Sequence, residues 1–199
     1  MSLPLQVSEI EVHASRYPLA YAREFPGASD AWYWASLWPA SVALAEDLSG
    51  RADLVGKRVL EIGCGCGLAG IAAGRNGAKV TVTDLEPQAL TLAEENWSRN
   101  RLKPAALERL DWRRPADLGT FDLILGADIL YDEMTFSALS RTLRQKLSRE
   151  GRILIAEPGR PQAHAFFARM LRAGFRIDTR HHPVDLHGER FEVSVSELW

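Results

Sequence analysis

The sequence predicts an α/β fold in which a mostly parallel sheet carries helices on both faces. Short runs rich in Val, Ile and Leu alternate along the chain with segments that keep the helical period of about 3.6 residues. A glycine-rich stretch, residues 63–67, joins the first of these runs to a helix. Two runs of alternating polarity near the C-terminus predict an antiparallel hairpin that completes the sheet.

The predicted elements follow one another in a regular order. A short edge strand is expected within residues 7–13, and a helix is expected to begin at Pro39, because proline fits the first turn of a helix. The other predicted strands lie at residues 58–62, 80–84, 107–110, 121–126, 152–156, 175–179 and 191–195. The other predicted helices bury Leu68, Ile71, Leu90, Trp97, Phe136, Leu139, Leu143, Leu147, Phe166, Phe167, Met170 and Leu171. Between the last two strands, the polar residues 181–187 are expected to form a loop.

The composition is that of an ordinary globular protein. Of the 199 residues, 46% are apolar and 25% are charged, which suits one domain with a sizeable core. The total net charge of −2 offers no field for binding nucleic acid, and Arg109, Arg113 and Arg114 are expected to form a solvated face, with a local basic patch as the alternative. Cys64 and Cys66 are too close in sequence for a good disulfide, and no second Cys or His group completes a zinc site. We therefore expect no metal and a reducing, cytoplasmic location. No apolar run approaches the ~18 residues of a membrane span.

The strongest functional signal is the glycine-rich stretch. Gly63, Gly65 and Gly67 occupy alternate positions, and Glu61 stands two residues before the first of them. Glycines let a ligand approach the bare backbone, and the free N–H groups of the following helix attract an electronegative ligand. Dinucleotide-binding loops carry G-x-G-x-x-G instead, so this spacing disfavours a nicotinamide oxidoreductase. The alternative is a tight turn between strand and helix that binds no ligand.

The G-x-G-x-G pattern behind an acidic residue resembles the S-adenosylmethionine (SAM) loop of class I methyltransferases. The resemblance implies a Rossmann-like class I methyltransferase fold with a seven-stranded sheet, SAM as the cofactor and S-adenosylhomocysteine as its product. Asp84 ends the second strand of the predicted parallel sheet about 20 residues after the loop, where an acid can accept hydrogen bonds from ribose hydroxyls.

Further candidates follow the carboxyl ends of other strands, where ligands of open α/β sheets bind. Asp111 is placed to accept a hydrogen bond from the adenine amino group or, alternatively, is a helix cap or a loop residue, and Trp112 is placed to stack on the adenine. Trp38 offers an aromatic face to the sulfonium or, alternatively, covers the edge of the sheet. The predicted cofactor-binding set is Trp38, Glu61, Gly63, Gly65, Gly67, Asp84, Leu85, Asp111, Trp112 and Ala127.

A second resemblance begins after the strand at residues 121–126. Asp128 and Tyr131 form a D-x-x-Y motif like that of the seven-strand protein-lysine methyltransferases, a family that the chain resembles from about residue 32 to about residue 161. The sequence E-P-G-R-P at residues 157–161 is similar to a segment of the electron transfer flavoprotein β-subunit lysine methyltransferases. Glu157 stands where that subgroup carries Asp, and residues 40–41 are Ala-Ser where it tends to have two glycines. These departures leave the particular protein substrate open.

The resemblance implies roles for the residues of these segments. Asp128 and Tyr131 are the predicted catalytic residues: Asp128 orients the incoming lysine amine by hydrogen bonding or, alternatively, is a turn acid that caps the following segment, and Tyr131 walls the lysine channel. Trp34, Glu157 and Arg160 are predicted to bind the substrate. The first candidate substrate is the β-subunit of electron transfer flavoprotein, and the second is a ribosomal protein. No nucleic-acid or membrane partner is expected.

Two alternatives to a protein-lysine methyltransferase stay open. A small-molecule N- or O-methyltransferase needs a lid, and the short chain leaves little length for one. Residues 1–40 are expected to cover the cofactor and substrate, ahead of a methyltransferase domain at residues 41–199. A SAM-binding module without catalysis is disfavoured because the acids Asp84 and Asp128 are both present.

Overall fold

The computed structural model describes residues 2–7, 10–15, 30–102, 105–114 and 117–199. The strands are β1 (Ser2–Val7), β2 (Ile10–Ser15), β3 (Arg58–Ile62), β4 (Lys79–Asp84), β5 (Ala106–Arg109), β6 (Phe121–Ala127), β7 (Leu147–Glu157), β8 (Ile177–Leu186) and β9 (Glu189–Leu198). The helices are α1 (Pro39–Leu48), α2 (Leu68–Arg75), α3 (Pro87–Arg99), α4 (Phe136–Lys146) and α5 (Ala163–Arg172). Short 3₁₀ segments cover Asp30–Ala35, Ala52–Leu54 and Glu133–Thr135. In these described ranges, no helix is long and apolar enough to cross a lipid bilayer.

The main sheet has seven strands in the order β5-β4-β3-β6-β7-β9-β8. Strands β3 to β7 run parallel, whereas β9 is antiparallel to both β7 and β8. The predicted mostly parallel sheet with a C-terminal antiparallel hairpin is therefore confirmed. The strand order reverses between β3 and β6, because the chain builds one side of the sheet from β3 and the other from β6. Open α/β sheets bind their ligands at such a switch point.

Helices cover both faces of the sheet because its central strands are apolar on both sides. In β3, Val59 belongs to the core that lies with α1, α2 and α3, and the next residue, Leu60, belongs to the core that lies with α4 and α5. Successive side chains of a strand point to opposite faces, so β3 packs against one core on each face of the sheet. This packing fixes the carboxyl ends of β3, β4 and β6 relative to one another.

The N-terminal strands form a separate antiparallel hairpin that docks on α3. The side-chain amides of Asn96 and Asn100, on α3, exchange hydrogen bonds of 2.7–3.1 Å with the backbone N–H and C=O groups of His13 and Glu11. Of the edge strand predicted within residues 7–13, residues 10–13 lie in β2 of this hairpin and not at an edge of the main sheet, and residues 8–9 lie outside the described ranges.

Three local predictions are wrong. The polar residues 181–186 belong to β8, because β8 and β9 continue to a tight turn at residues 187–188, where both φ angles are positive. Leu147 starts β7 and does not extend the preceding helix. Leu171 was expected in the core but is 55% exposed, since it lies on the outer side of α5.

Candidate active site

The glycine loop leaves the carboxyl end of β3 and turns at once into α2. Gly63 and Gly65 both have positive φ angles, of 62° and 51°. A Cβ atom at Gly65 would lie 2.9 Å from the carbonyl oxygen of Trp34, and one at Gly63 would lie 3.0 Å from Cγ2 of Ile129. Both positions therefore require glycine, for the backbone conformation and because neighbouring segments press on the loop. Gly67 follows as the N-cap of α2.

Asp84 ends β4 beside this loop and is buried. Its Oδ2 accepts a hydrogen bond from the Gly65 N–H, and its Oδ1 accepts one from the Glu86 N–H, each at 3.0 Å. Burial raises the pKa of Asp84, although these backbone hydrogen bonds oppose the rise. Each oxygen keeps a further lone pair for a ligand. The next residue, Leu85, is half-buried, and its carbonyl accepts a 2.9 Å hydrogen bond from Arg109 Nε.

Glu61 is buried at the junction between the loop and α2. Burial raises the pKa of Glu61 to about 8, with a further contribution from the Asp84 carboxylate, while the backbone N–H groups of Gly70 and Ala69 oppose the rise. Among the described residues, Glu61 Oε2 has no hydrogen-bond partner. Gly70 leaves room for this oxygen, because a Cβ there would collide with it. All of these contacts are internal, so the predicted cofactor contact of Glu61 stays a prediction.

The segment before α1 forms a wall over the loop. The Trp34 carbonyl lies directly above Gly65. Trp38 is the N-cap of α1, its indole Nε1 donates a 2.9 Å hydrogen bond to the Tyr33 carbonyl, and the two rings lie 5.9 Å apart. Of the predicted covering segment at residues 1–40, residues 1, 8–9 and 16–29 lie outside the described part of the chain.

Asp111 and Trp112 follow β5 on the other side of the loop. The Asp111 carboxylate accepts hydrogen bonds from both the backbone N–H and the Nε of Arg113, at 3.0 and 2.8 Å. The pKa of Asp111 is lowered, chiefly by this arginine. These contacts are those of a residue in a turn, and the predicted contact of Asp111 with adenine stays a prediction. The half-buried ring of Trp112 borders the loop, with Cζ2 3.6 Å from where a Cβ on Gly63 would lie.

Asp128 follows Ala127, the last residue of β6, and has a left-handed backbone with φ of 54°. Its N–H bonds the Ala156 carbonyl at 2.9 Å. A positive φ outside glycine is uncommon and costs about 1–3 kcal/mol, so the surrounding structure must hold it. Both carboxylate oxygens bond one guanidinium: Arg160 Nε lies 2.5 Å from Oδ1, and Nη2 lies 2.9 Å from Oδ2. The Asp128 side chain is 4% exposed.

The turn at residues 157–161 delivers Arg160 to this position. Glu157 is buried, and its Oε2 accepts hydrogen bonds from the N–H groups of Gly159 and Arg160, at 2.8 and 2.7 Å. Gly159 provides the positive φ, 84°, that the turn needs. Glu157 and Arg160, two of the three residues predicted to bind substrate, thus make internal bonds here, and their contact with substrate stays a prediction.

Tyr131 is the exposed member of the D-x-x-Y motif, at 60%. Although Tyr131 is exposed, partial desolvation raises its pKa most; the carboxylates of Asp84, Asp132 and Asp128 raise it further, and Arg160 opposes the rise. The pKa of Tyr131 therefore responds to the charges of Asp84, Asp128 and Arg160. Gln162 holds the backbone nearby, with its Nε2 3.1 Å from the Tyr131 carbonyl.

The structure gathers the predicted residues at the switch point between β3 and β6. Ile129, inside the D-x-x-Y motif, packs on Gly63, so the motif and the loop are in contact. Sequence reasoning missed Asn96, which is fully buried and donates a 2.9 Å hydrogen bond to the Cys66 carbonyl of the loop. The sequence signal that could have identified Asn96 is its position on the apolar side of a predicted helix, where a polar side chain needs a hydrogen-bond partner. No group of three or more metal-binding side chains occurs within the described ranges.

Comparisons with known proteins agree on one family. A family model described as lysine methyltransferase matches residues 33–173. Protein N-lysine methyltransferase METTL21A of Danio rerio is 41% identical over 155 residues, which are 74% of this chain and 71% of that protein. The electron transfer flavoprotein beta subunit lysine methyltransferase of Danio rerio is 32% identical over 170 residues; the match covers 84% of this chain and 65% of that protein, so less than two thirds of it.

A solved structure supports the same fold. The ribosomal protein L11 methylase from Lactobacillus delbrueckii subsp. bulgaricus superposes with a TM-score of 0.60 at 28% identity, covering 77% of this chain and 75% of that chain.

Proposed function

The chain belongs to the lysine methyltransferase family, and we propose that it transfers a methyl group from S-adenosylmethionine to the side-chain amine of a lysine in a protein substrate. One observation carries the proposal for the site. Ile129, which lies between Asp128 and Tyr131, packs against Gly63 of the glycine loop. The segment proposed for the lysine and the loop proposed for the cofactor are therefore neighbours, as transfer between two bound molecules requires.

The residues around the loop suit S-adenosylmethionine. When bound, S-adenosylmethionine would supply a methyl group that is already activated by its positively charged sulfur. Gly63 and Gly65 present bare backbone, and Asp84 keeps lone pairs for the ribose hydroxyls while it holds the loop. Trp38 has a half-buried ring whose face suits a cation, and the ring of Trp112 borders the loop, where an adenine can stack. S-adenosylhomocysteine is the product that remains.

The D-x-x-Y residues are proposed to receive the lysine. A lysine amine attacks only when neutral, whereas its reference pKa is about 10.4, so the site must admit it without its proton. Asp128 keeps lone pairs that can accept an N–H of the amine and orient it, even with both oxygens bonded to Arg160. Tyr131 would wall the channel and exclude water from it.

The mouth of the proposed channel is open to a large substrate. Tyr131 is 60% exposed and Met134, three residues on, is 92% exposed. An exposed aromatic and apolar rim suits one lysine that projects from a folded protein. We take the β-subunit of electron transfer flavoprotein as the first candidate and a ribosomal protein as the second. A cytoplasmic location, without nucleic-acid or membrane partners, belongs to the same proposal.

Residues 1–40 are proposed to cover the site. Two contacts support this role: the Trp34 carbonyl lies on Gly65, and Asn96 bonds both His13 of the hairpin and Cys66 of the loop. The hairpin and the cofactor loop are thereby linked through one side chain.

Incubation of the protein with S-adenosylmethionine labelled in its methyl group, together with a cell extract, tests this function. We expect the label in a protein band, with an acid-stable lysine adduct, and no labelled band with Asp128→Asn. Label in the small-molecule fraction alone would instead favour a small-molecule N- or O-methyltransferase. Binding of the cofactor without transfer to either fraction would favour a binding module.

A further inference from the structure

The Asp128–Arg160 pair is the most tightly bonded charged group at the proposed site. Two parallel hydrogen bonds, of 2.5 and 2.9 Å, join the guanidinium to both oxygens of the carboxylate. The Asp128 side chain is 4% exposed and that of Arg160 is 31% exposed, so water screens the pair only from the arginine side. Bidentate pairs of this kind fix the orientation of both groups.

The charge of this pair bears directly on the chemistry of a lysine nucleophile. A carboxylate within about 4–6 Å of an amine favours the ammonium form and shifts the amine pKa upward by about 1–3 units. A lone buried Asp128 would therefore attract lysine in its unreactive, protonated form. A carboxylate already matched by a guanidinium still accepts hydrogen bonds but exerts little net attraction on a proton.

We propose that Arg160 is a positioning residue that cancels the charge of Asp128, so that the site admits the substrate lysine as the neutral amine, with its proton released to water. The inference rests on the proposed function and deepens it. It also gives Arg160 a role different from the direct substrate contact that the sequence suggested, because its guanidinium is turned inward to Asp128.

The groups that face Arg160 agree with this role. The Asp128 hydrogen bonds raise the pKa of Arg160 most, ahead of the charges of Glu157 and Tyr131, so the guanidinium stays charged at every pH used for assay. Glu157 is occupied by two backbone N–H groups of its own turn. The Glu157 carboxylate therefore does not compete with Asp128 for the N–H donors of the guanidinium.

The other carboxylates near Tyr131 are held differently. Asp84 receives two backbone N–H groups, and Asp132 receives the Met134 N–H at 3.0 Å. Backbone donors orient these acids but carry no unit charge. Asp128 is the one of these three acids that is bonded to a cation, and it is also the residue proposed to touch the amine.

The chain offers a matched control for loss of such a pair. Arg180 makes the same two-bond contact to Asp47, at 3.0 and 3.1 Å, on α1 and β8 away from the site. The Asp47 side chain is 7% exposed, close to the value for Asp128. Arg180 also contacts Glu197 at 3.4 Å, and Asp47 also contacts His182 at 3.3 Å. Arg180→Gln therefore removes a two-bond arginine–aspartate contact, within a larger charged cluster, without touching the proposed channel. Arg160→Lys keeps the positive charge but loses the two-bond guanidinium geometry, and Arg160→Gln loses both.

The first measurement needs no substrate. The ionised fraction of Tyr131 at about pH 10.5 is read by NMR of ¹³Cζ-labelled tyrosine, assigned with Tyr131→Phe, in protein shown to be folded by circular dichroism. Arg160→Gln should lower that fraction, because the neighbouring cation is lost while the Asp128 charge stays. Arg160→Lys and Arg180→Gln should leave it near the wild-type value. An unchanged fraction in Arg160→Gln would overturn the charge cancellation.

The second measurement is the pH profile of kcat between about pH 7 and about pH 10.5, with the electron transfer flavoprotein β-subunit and ribosomal protein L11 as probes. The apparent pKa of kcat reports the bound complex. It should rise by about one unit or more in Arg160→Gln. Arg160→Lys should lower kcat without moving this pKa, Arg180→Gln should match the wild type, and Asp128→Asn/Arg160→Gln should lose the rise.

The outcomes separate the inference from the function. A fall in kcat with the same apparent pKa in Arg160→Gln and Arg160→Lys would reduce Arg160 to a structural residue and refute the inference. Failure of the wild-type enzyme to methylate either probe or any protein of the extract would refute the proposed function itself. The proposed role of Arg160 toward the lysine amine would then be refuted together with the function, whatever the Tyr131 titration shows.

Discussion

Replacing Glu61 by glutamine should remove much of the stability loss that the protein undergoes as the pH rises from about 5.5 to about 8.5. Glu61 is buried beneath the start of α2, and burial raises its pKa from the ordinary value of 4.5 to about 8. The folded protein therefore holds a proton on Glu61 through a pH range in which the unfolded chain has released it. Because the folded state binds more protons there, the free energy of unfolding falls as the pH rises.

The size of the effect follows from these two pKa values. The stabilisation by the bound proton is fully present below about pH 4.5 and is lost as the pH passes through about 8. Between about pH 5.5 and about pH 8.5, linkage gives a loss of about 3 kcal/mol in the free energy of unfolding. Asp84, whose pKa is also raised by burial, adds a loss of the same sign as the pH rises above its ordinary value of 3.8. Glutamine has a similar shape and does not titrate, so the Glu61 part of the loss should be absent in Glu61→Gln.

Urea unfolding followed by tryptophan fluorescence measures this difference in ligand-free protein. The quantity of interest is the fall in the free energy of unfolding between the two pH values for wild type, minus the same fall for Glu61→Gln. We expect about 3 kcal/mol for this difference. The exposed Glu95 gives a control, since Glu95→Gln should retain the wild-type pH dependence. Parallel pH dependences for wild type and Glu61→Gln would refute the account of Glu61 as a buried, proton-holding acid.

Two further predictions concern the proposed roles of the site residues. Asp84→Ala should weaken binding of S-adenosylmethionine by about 1.5–3 kcal/mol, the range for hydrogen bonds to a charged group; calorimetry that finds unchanged affinity with the fold intact would remove Asp84 from the cofactor site. Asp128→Asn and Tyr131→Phe should each lower kcat by about tenfold or more while cofactor affinity changes little; a loss of affinity that explains the whole rate defect would make them cofactor residues instead.

The central part of the fold was predictable because its signals are local. A buried parallel strand is largely apolar, as β6 is apart from Asp122, and a strand such as β3 that ends in spaced glycines before a helix leaves few alternatives. The C-terminal hairpin was harder. β8 carries polar side chains such as His181 and Asp185 far along its length, because an edge strand is exposed and need not be apolar. Its polarity was therefore interpreted as a loop.

The candidate site was predictable as a set of positions but not as a set of bonds. The topology of an α/β sheet brings strand ends together, so Asp84 and Asp128 could be assigned to one edge from their positions after β4 and β6. The bond between Asp128 and Arg160 could not be predicted, because Arg160 is 32 positions away along the chain and reaches Asp128 only through the turn after β7. The same holds for Glu61, since its burial depends on how closely Gly70 approaches it.

Intact-mass spectrometry tests the central claim most directly. The purified β-subunit of electron transfer flavoprotein and ribosomal protein L11 are each incubated with the enzyme and S-adenosylmethionine, and with the Asp128→Asn enzyme as control. The account predicts that one of the two proteins gains mass in steps of ~14 Da that fragmentation maps to a lysine, and that the control gains none. The protein-lysine account is contradicted if neither protein gains mass while the wild-type enzyme methylates a small amine or hydroxy compound efficiently.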